Sequence, residues 1–228
     1  MSPSRLVMWD IDRTLLYGGG VAVRAWATAF TAVTGLPWEF TMAPAGRTDR
    51  DLAAEVFGHH GIADAGPYLD RFFRRYAAEV AARRHLFAEH GRLLPGVPEV
   101  LAALAARPQV VQTLVTGNIA PVASDKLAAF GLGWAFDADI GGYGTDDTVR
   151  ATLVRRSRER AERRYGHRFD VVVIGDTVHD ITAALANDVT AVGVATGGTD
   201  AATLRAAGAH TVFVDLSDVD TVVRVLAG

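Results

Sequence analysis

Three short, largely apolar runs, each ending where a carboxylate or hydroxyl begins, restrict this chain more than any other feature. Leu6-Val7-Met8-Trp9 runs into Asp10, Val110 to Val115 into Thr116, and Val171-Val172-Val173-Ile174 into Gly175-Asp176. Continuous runs of this kind suit strands covered on both faces. Helical patterns such as Pro98 to Ala106 and Val122 to Phe130 lie between them. The alternation predicts an α/β fold, a Rossmann-like parallel sheet core with helices on both faces. Val189 to Ala195 and Thr211 to Val214 are expected to extend the sheet. Polar groups that follow the C-terminal ends of parallel strands gather at one edge, so Asp10, Thr116 and Asp176 should converge.

The interval from Tyr17 to Gly91 reads as helical, over Val21 to Val33, Asp49 to His60 and Tyr68 to His85. A simple crossover needs only a few loop residues and one helix. The interval therefore predicts an inserted α-helical cap over 17–91, with 1–16 and 92–228 forming the α/β core. At 228 residues the chain buries a core without staples. Lys and Arg number 23 against 26 Asp and Glu, a net charge of -3, so no strong field draws it to nucleic acid or an anionic membrane. The absence of cysteine excludes disulfides, thiolate metal sites and a cysteine nucleophile. No stretch approaches the roughly 18 uninterrupted apolar residues of a spanning helix, and we expect a cytoplasmic protein.

Three segments carry chemistry. Asp10-Ile11-Asp12-Arg13-Thr14 sets two carboxylates one residue apart, close enough to repel unless a cation or shared proton relieves them. That spacing suits a divalent metal or a division of acid and base roles, and equally a solvated loop. Thr116-Gly117-Asn118 offers a hydroxyl and backbone N–H groups to a phosphate, or a cap to the next helix through Asn118. Asp176 and Asp180 can face one site if a helix begins between them, giving the hard oxygen ligands that Mg²⁺ prefers, or they can simply cap that helix.

Asp10-Ile11-Asp12-x-Thr14-Leu15, Val115-Thr116-Gly117-Asn118 and Gly175-Asp176-x-x-x-Asp180, in this order, resemble the signature of the haloacid dehalogenase-like (HAD) hydrolase superfamily. Most of its members are Mg²⁺-dependent phosphatases. Gly46-Arg47-Thr48-Asp49 is similar to a cap segment of phosphoglycolate-phosphatase-like members. The resemblance implies that Asp10 is the nucleophile and Asp12 the acid/base. It implies Mg²⁺ held by Asp10, the Asp12 backbone carbonyl and Asp176, with Asp180 in or beside the shell, and phosphate bound by Thr116, Gly117 and Asn118. The family's basic residue, usually a lysine opening the helix before the Gly-Asp strand, is expected at Arg150, with Lys126 competing. Arg13 stands where the family most often has glycine, so the backbone there is expected to avoid a glycine-only conformation.

The implied activity is hydrolysis of a small phosphorylated metabolite through an aspartyl phosphate. Arg47 would meet a second anionic group of a phosphoglycolate-like substrate, or stand as a structural arginine. A phosphomutase or a metal-independent dehalogenase shares the fold, although Asp12 has no evident task in displacing halide. A noncatalytic, receiver-like module would have no use for the cap. The arginine-rich run from Arg155 to Arg164 is expected to be a solvated helix, because its glutamates lie within pairing distance of arginines.

Overall fold

The computed structural model describes residues 4–228. The chain opens with β1 (Arg5–Trp9) and a two-residue strand β2 (Leu16–Tyr17). Four helices follow: α1 (Val21–Thr34), α2 (Asp49–His59), α3 (Gly66–Ala82) and α4 (His85–His90). Strand β3 (Arg92–Leu93) then pairs antiparallel with β2, Leu16 opposite Leu93 and Tyr17 opposite Arg92. The ribbon brings the helical excursion back beside the point where it left. The remainder alternates: α5 (Val97–Ala105), β4 (Val110–Leu114), α6 (Ala120–Ala129), α7 (Arg150–Tyr165), β5 (Asp170–Gly175), α8 (Val178–Leu185), β6 (Thr190–Val194), α9 (Ala201–Ala206), β7 (Thr211–Phe213) and α10 (Val219–Ala227).

The main sheet has the order β4-β1-β5-β6-β7 and every pairing in it is parallel. Each residue of β1 is buried because successive side chains serve opposite cores. Val7 and Trp9 pack with Leu101 of α5, Leu127 of α6 and Val222 of α10. Leu6 and Met8 pack with Leu153 of α7 and Ile181 of α8. A buried valine or leucine in such a core contributes about 1.5–3 kcal/mol relative to exposure, which explains why every position of β1 after Arg5 is apolar. β1 lies between β4 and β5, so the connection leaves it first to one side and later to the other; a crevice opens beyond such a switch point.

The inserted helices build a third apolar core. Trp26 and Phe30 of α1, Phe57 of α2, and Phe72 and Tyr76 of α3 fill it, with the Trp26 and Phe72 rings 4.5 Å apart in an edge-on contact. Ile119 and Val122 at the start of α6 join the same cluster, so the insert rests on the helix that follows β4.

Element boundaries differ from expectation mainly at α3 and α4. One helix is expected from Tyr68 to His85, but the run stops at Ala82 and a short helix resumes at His85. On α7, Arg155 pairs with Glu159 and Arg158 with Glu162, the intrahelical pairs expected of a solvated face. Arg160 does more: it grips both carboxylate oxygens of Asp146 at 2.7 Å and fastens the loop leading to Arg150. No helix among the described residues is long and apolar enough to cross a membrane.

Candidate active site

Backbone pairing continues past the ends of β1 and β4 and fixes the site. Asp10 N–H donates to Ile174 O at 3.0 Å, and Val115 N–H to Trp9 O at 2.8 Å. Asp10 is therefore held in register between β4 and β5, with 5% of its surface exposed. The chain then turns sharply, Leu15 and Leu16 both donating to Ile11 O. Within this turn Arg13 has φ 64, which corrects the expectation that a side chain here forces the backbone out of the left-handed region. That conformation costs an L-residue roughly 1–2 kcal/mol, and the bonds from Arg13 N–H to Leu16 O and from the Thr196 hydroxyl to Arg13 O hold it in place.

Beyond β5, Thr177 and Asp180 form a reciprocal cap at the start of α8. The Thr177 hydroxyl accepts from Asp180 N–H, and the Asp180 carboxylate accepts from Thr177 N–H and its hydroxyl. Asp180 folds back so closely on the strand that a Cβ on residue 175 would lie 2.1 Å from its Cγ, so only glycine fits there. One Asp180 oxygen, Oδ2, is thus consumed by capping, and the other, Oδ1, is left for Arg150. Ligand atoms of Asp10, Asp176 and Asp180, all buried, lie within 4.8 Å of one another. Thr14, which sequence reasoning left without a task, donates to Asp176 at 3.4 Å.

Arg150, the first residue of α7, reaches into this cluster. Its guanidinium is 2.8 Å from Asp10 Oδ1 and 2.5 Å from Asp180 Oδ1, and it also donates to Val115 O and to Gly46 O. Burial works against its charge, but Asp180 and Asp10 more than offset that and hold it firmly protonated. One arginine cannot neutralise three carboxylates. Burial, with Asp180 and Asp12 adding repulsion against the pull of Arg150, raises the Asp10 pKa to about 6. Burial together with Asp10 and Asp180 raises that of Asp176 to about 8. Crowded, under-neutralised hard oxygen donors are the donor set that a divalent cation such as Mg²⁺ fits.

Lys126 serves a different carboxylate. From α6 its Nζ lies 2.5 Å from Asp12 Oδ2 and donates to Asn118 Oδ1 at 2.7 Å, while Asn118 Nδ2 donates to Asp12 Oδ2 at 2.8 Å. Enclosure opposes ionisation of Asp12, but Lys126, Asn118 and Arg150 outweigh it, and its pKa falls below the usual carboxylate value. Asn118 also donates to Thr116 Oγ1 at 2.8 Å. It does not cap α6, whose N-cap is Ile119 with no side-chain bond.

The insert meets the site through its backbone. Asp49 N–H donates to Gly117 O at 2.7 Å and Arg50 N–H to Gly144 O at 3.2 Å. The approach is so tight that a Cβ on residue 117 would lie 1.9 Å from Arg47 O. Thr48 caps α2 by accepting from Asp51 N–H, but the Asp49 carboxylate leaves that helix and accepts from Ile119 N–H at 2.8 Å. Burial lifts its pKa to about 6 against the opposing pull of Ile119 N–H and Lys126. Sequence reasoning missed this role, for which the acidic residue directly after a good N-cap was the available signal. Arg47 lines the site, yet its guanidinium pairs with Asp51 at 2.6 Å and with Glu55.

Asp10, Asp12, Thr116, Lys126, Arg150 and Asp176 open on a cavity of about 600 Å³ between the strand ends and the inserted helices. A family profile described as haloacid dehalogenase-like hydrolase matches residues 7–185, and a HAD-hydrolase-like profile matches 152–219. The chain belongs to the haloacid dehalogenase-like hydrolase family. Among solved structures, a hydrolase from Pseudomonas syringae is 23% identical with a TM-score of 0.70, covering 99% of this chain and 100% of its own. A predicted phosphatase from Clostridium acetobutylicum is 16% identical with a TM-score of 0.70, covering 98% and 100%. A predicted phosphoglycolate phosphatase from Haemophilus somnus is 19% identical with a TM-score of 0.66, covering 97% and 99%. At these identities the structures establish a shared HAD fold. No curated protein matches the chain by sequence.

Proposed function

We propose that this HAD-family hydrolase is a Mg²⁺-dependent phosphatase of a small phosphorylated metabolite, working through an aspartyl phosphate. The observation that carries the reading is the meeting of Asp10, Asp176 and Asp180 within 4.8 Å, two of them on the Arg150 guanidinium, beside a fourth carboxylate, Asp12, which lines the same cavity as Asp10 and Asp176. The residues 17–91 act as the cap that shields this chemistry from bulk water. Solved structures of shared fold described as phosphatases support the same reading.

Asp10 is the nucleophile. Arg150 holds its Oδ1 at 2.8 Å, which fixes the carboxylate and leaves the other oxygen for in-line attack on phosphorus. The Asp10–phosphorus bond forms while the bond from phosphorus to the leaving oxygen breaks. Asp12, ionised beside Lys126 before substrate enters, takes up the proton of the phosphate monoanion, gives it to that oxygen, then takes one from the water that hydrolyses the aspartyl phosphate to orthophosphate. Lys126 and Asn118 aim the Asp12 carboxylate for both transfers. The Thr116 hydroxyl and the Gly117 and Asn118 N–H groups are the donors for phosphoryl oxygens. Asp10, Asp176, Asp180 and the Asp12 carbonyl would hold Mg²⁺, which supplies neutralisation of phosphoryl charge.

Asp10→Asn tests the reading. Orthophosphate release from an aryl phosphate in Mg²⁺ should fall by about 10⁴-fold or more while the melting temperature stays near that of the parent. Retained turnover removes Asp10 as nucleophile and the reading with it.

A further inference from the structure

Resting on the phosphatase reading, we infer that the alcohol portion of the substrate is uncharged and largely apolar, and that this hydrolase discriminates against phosphate esters bearing a second anionic group. The charges lining the cavity carry the inference. Two cations beside the catalytic carboxylates are already engaged: Arg150 with Asp10 and Asp180, and Lys126 with Asp12 and Asn118. Arg47, the one arginine that the inserted segment presents, is shared between Asp51 and Glu55, which together outnumber its charge. The insert adds a further carboxylate, Asp49, at the base of its wall. Arg13 also lines the cavity and has no carboxylate partner among the described residues, but it stands on the core loop next to Asp12, apart from the inserted wall, with its guanidinium 4.0 Å from the centre of the Tyr17 ring.

Most of the rest of the inserted wall is apolar: Ala22, Val23, Trp26, Met42, Pro44 and Leu52 line the same cavity, with Tyr17 and Tyr76 as its neutral polar members. A carboxylate or second phosphate set against this wall gives up its hydration for hydrocarbon and meets like charge from Asp49, with no uncommitted cation on the wall itself to compensate. A hydrocarbon chain or ring there gains by leaving water. A cavity of about 600 Å³ holds a phosphate and a ring-sized group together.

The test uses esters matched in shape and leaving group. With the full chain in Mg²⁺, kcat/KM for phenyl phosphate should exceed that for 4-carboxyphenyl phosphate by at least about tenfold, and ethyl phosphate should likewise exceed phosphoglycolate. Val23→Lys, which places a cation on the exposed part of the wall, should shrink or reverse the first ratio, and Arg13→Ala should leave it unchanged. Equal or better turnover of the carboxylated esters overturns the inference, and loss of such a preference in Arg13→Ala would assign the second anion to Arg13. Phenylphosphonate and 4-carboxyphenylphosphonate, which cannot be hydrolysed, are compared by thermal shift. If no ester releases orthophosphate, the phosphatase reading fails, while tighter binding of the uncharged phosphonate still upholds the inference and tighter binding of the charged one still overturns it.

Discussion

The two sides of the cavity are built by opposite means. The floor is charged and comes from strand ends: Asp10 after β1, Thr116 after β4 and Asp176 after β5, each held in register by sheet pairing or its continuation. The roof is apolar, comes from helices, and meets the floor chiefly through backbone, as Asp49 N–H does on Gly117 O. Groups that react must be held to fractions of an ångström, and strands buried on both faces supply that rigidity. Groups that only select a leaving alcohol need the right polarity, and an insert provides it without disturbing the sheet.

The largest expected effect sharpens the division within the floor. Asp12→Asn should slow hydrolysis of an alkyl phosphate by about 10²–10⁴-fold, and of a nitrophenyl phosphate much less, because only the alkoxide needs the proton. Equal losses would take the acid role from Asp12. Lys126→Met should follow the same pattern more weakly, by roughly tenfold on the alkyl ester, with Lys126→Arg restoring part of it; a loss independent of leaving group would make Lys126 structural.

A third measurement separates floor from roof by pH. Asp10 and Asp176 have folded pKa values of about 6 and about 8, above the ordinary 3.8. A raised carboxylate stabilises the fold in its protonated form, so that contribution is present in acid and is lost as pH rises through these values. Metal-free protein should therefore melt lower at pH 8.5 than at pH 5, and saturating Mg²⁺ should restore about 5–10 °C at the higher pH and less at the lower. A melting rise of equal size at both values would break the link between these carboxylates and the cation.

Asp49, where roof meets floor, gives the smallest effect. Its pKa of about 6 also reflects burial, so its contribution is lost as pH rises through 6. Asp49→Asn keeps an acceptor for Ile119 N–H and should gain on the parent by on the order of 2 kcal/mol between pH 4 and pH 8 in denaturant titrations. A flat difference across that range would show that Asp49 is already compensated.

Much of the floor was legible before folding was considered. An apolar run that ends in Asp10 or in Gly175-Asp176 states both the strand and the group at its end, because strand direction and covalent order decide which residue emerges. Arg13 shows the limit of such reasoning. Its left-handed backbone depends on a bond to Leu16 O and one from the Thr196 hydroxyl, the latter far along the chain, and no local rule anticipates them. The roof was legible only as helices. The Arg47 pairing with Asp51 is a local i,i+4 contact, but that Asp49 turns toward α6 follows from how α2 is seated.

The sequence by itself determined the fold class, the inserted helices and the carboxylates at the strand ends, since hydrophobic period and chain order act over a few residues. It placed Arg150 and Lys126 in contention for one task. Tertiary structure alone gave them two, Arg150 to Asp10 and Asp180 and Lys126 to Asp12. An ion pair forms where helix rotation and side-chain reach bring charges from distant segments together, and those are properties of packing.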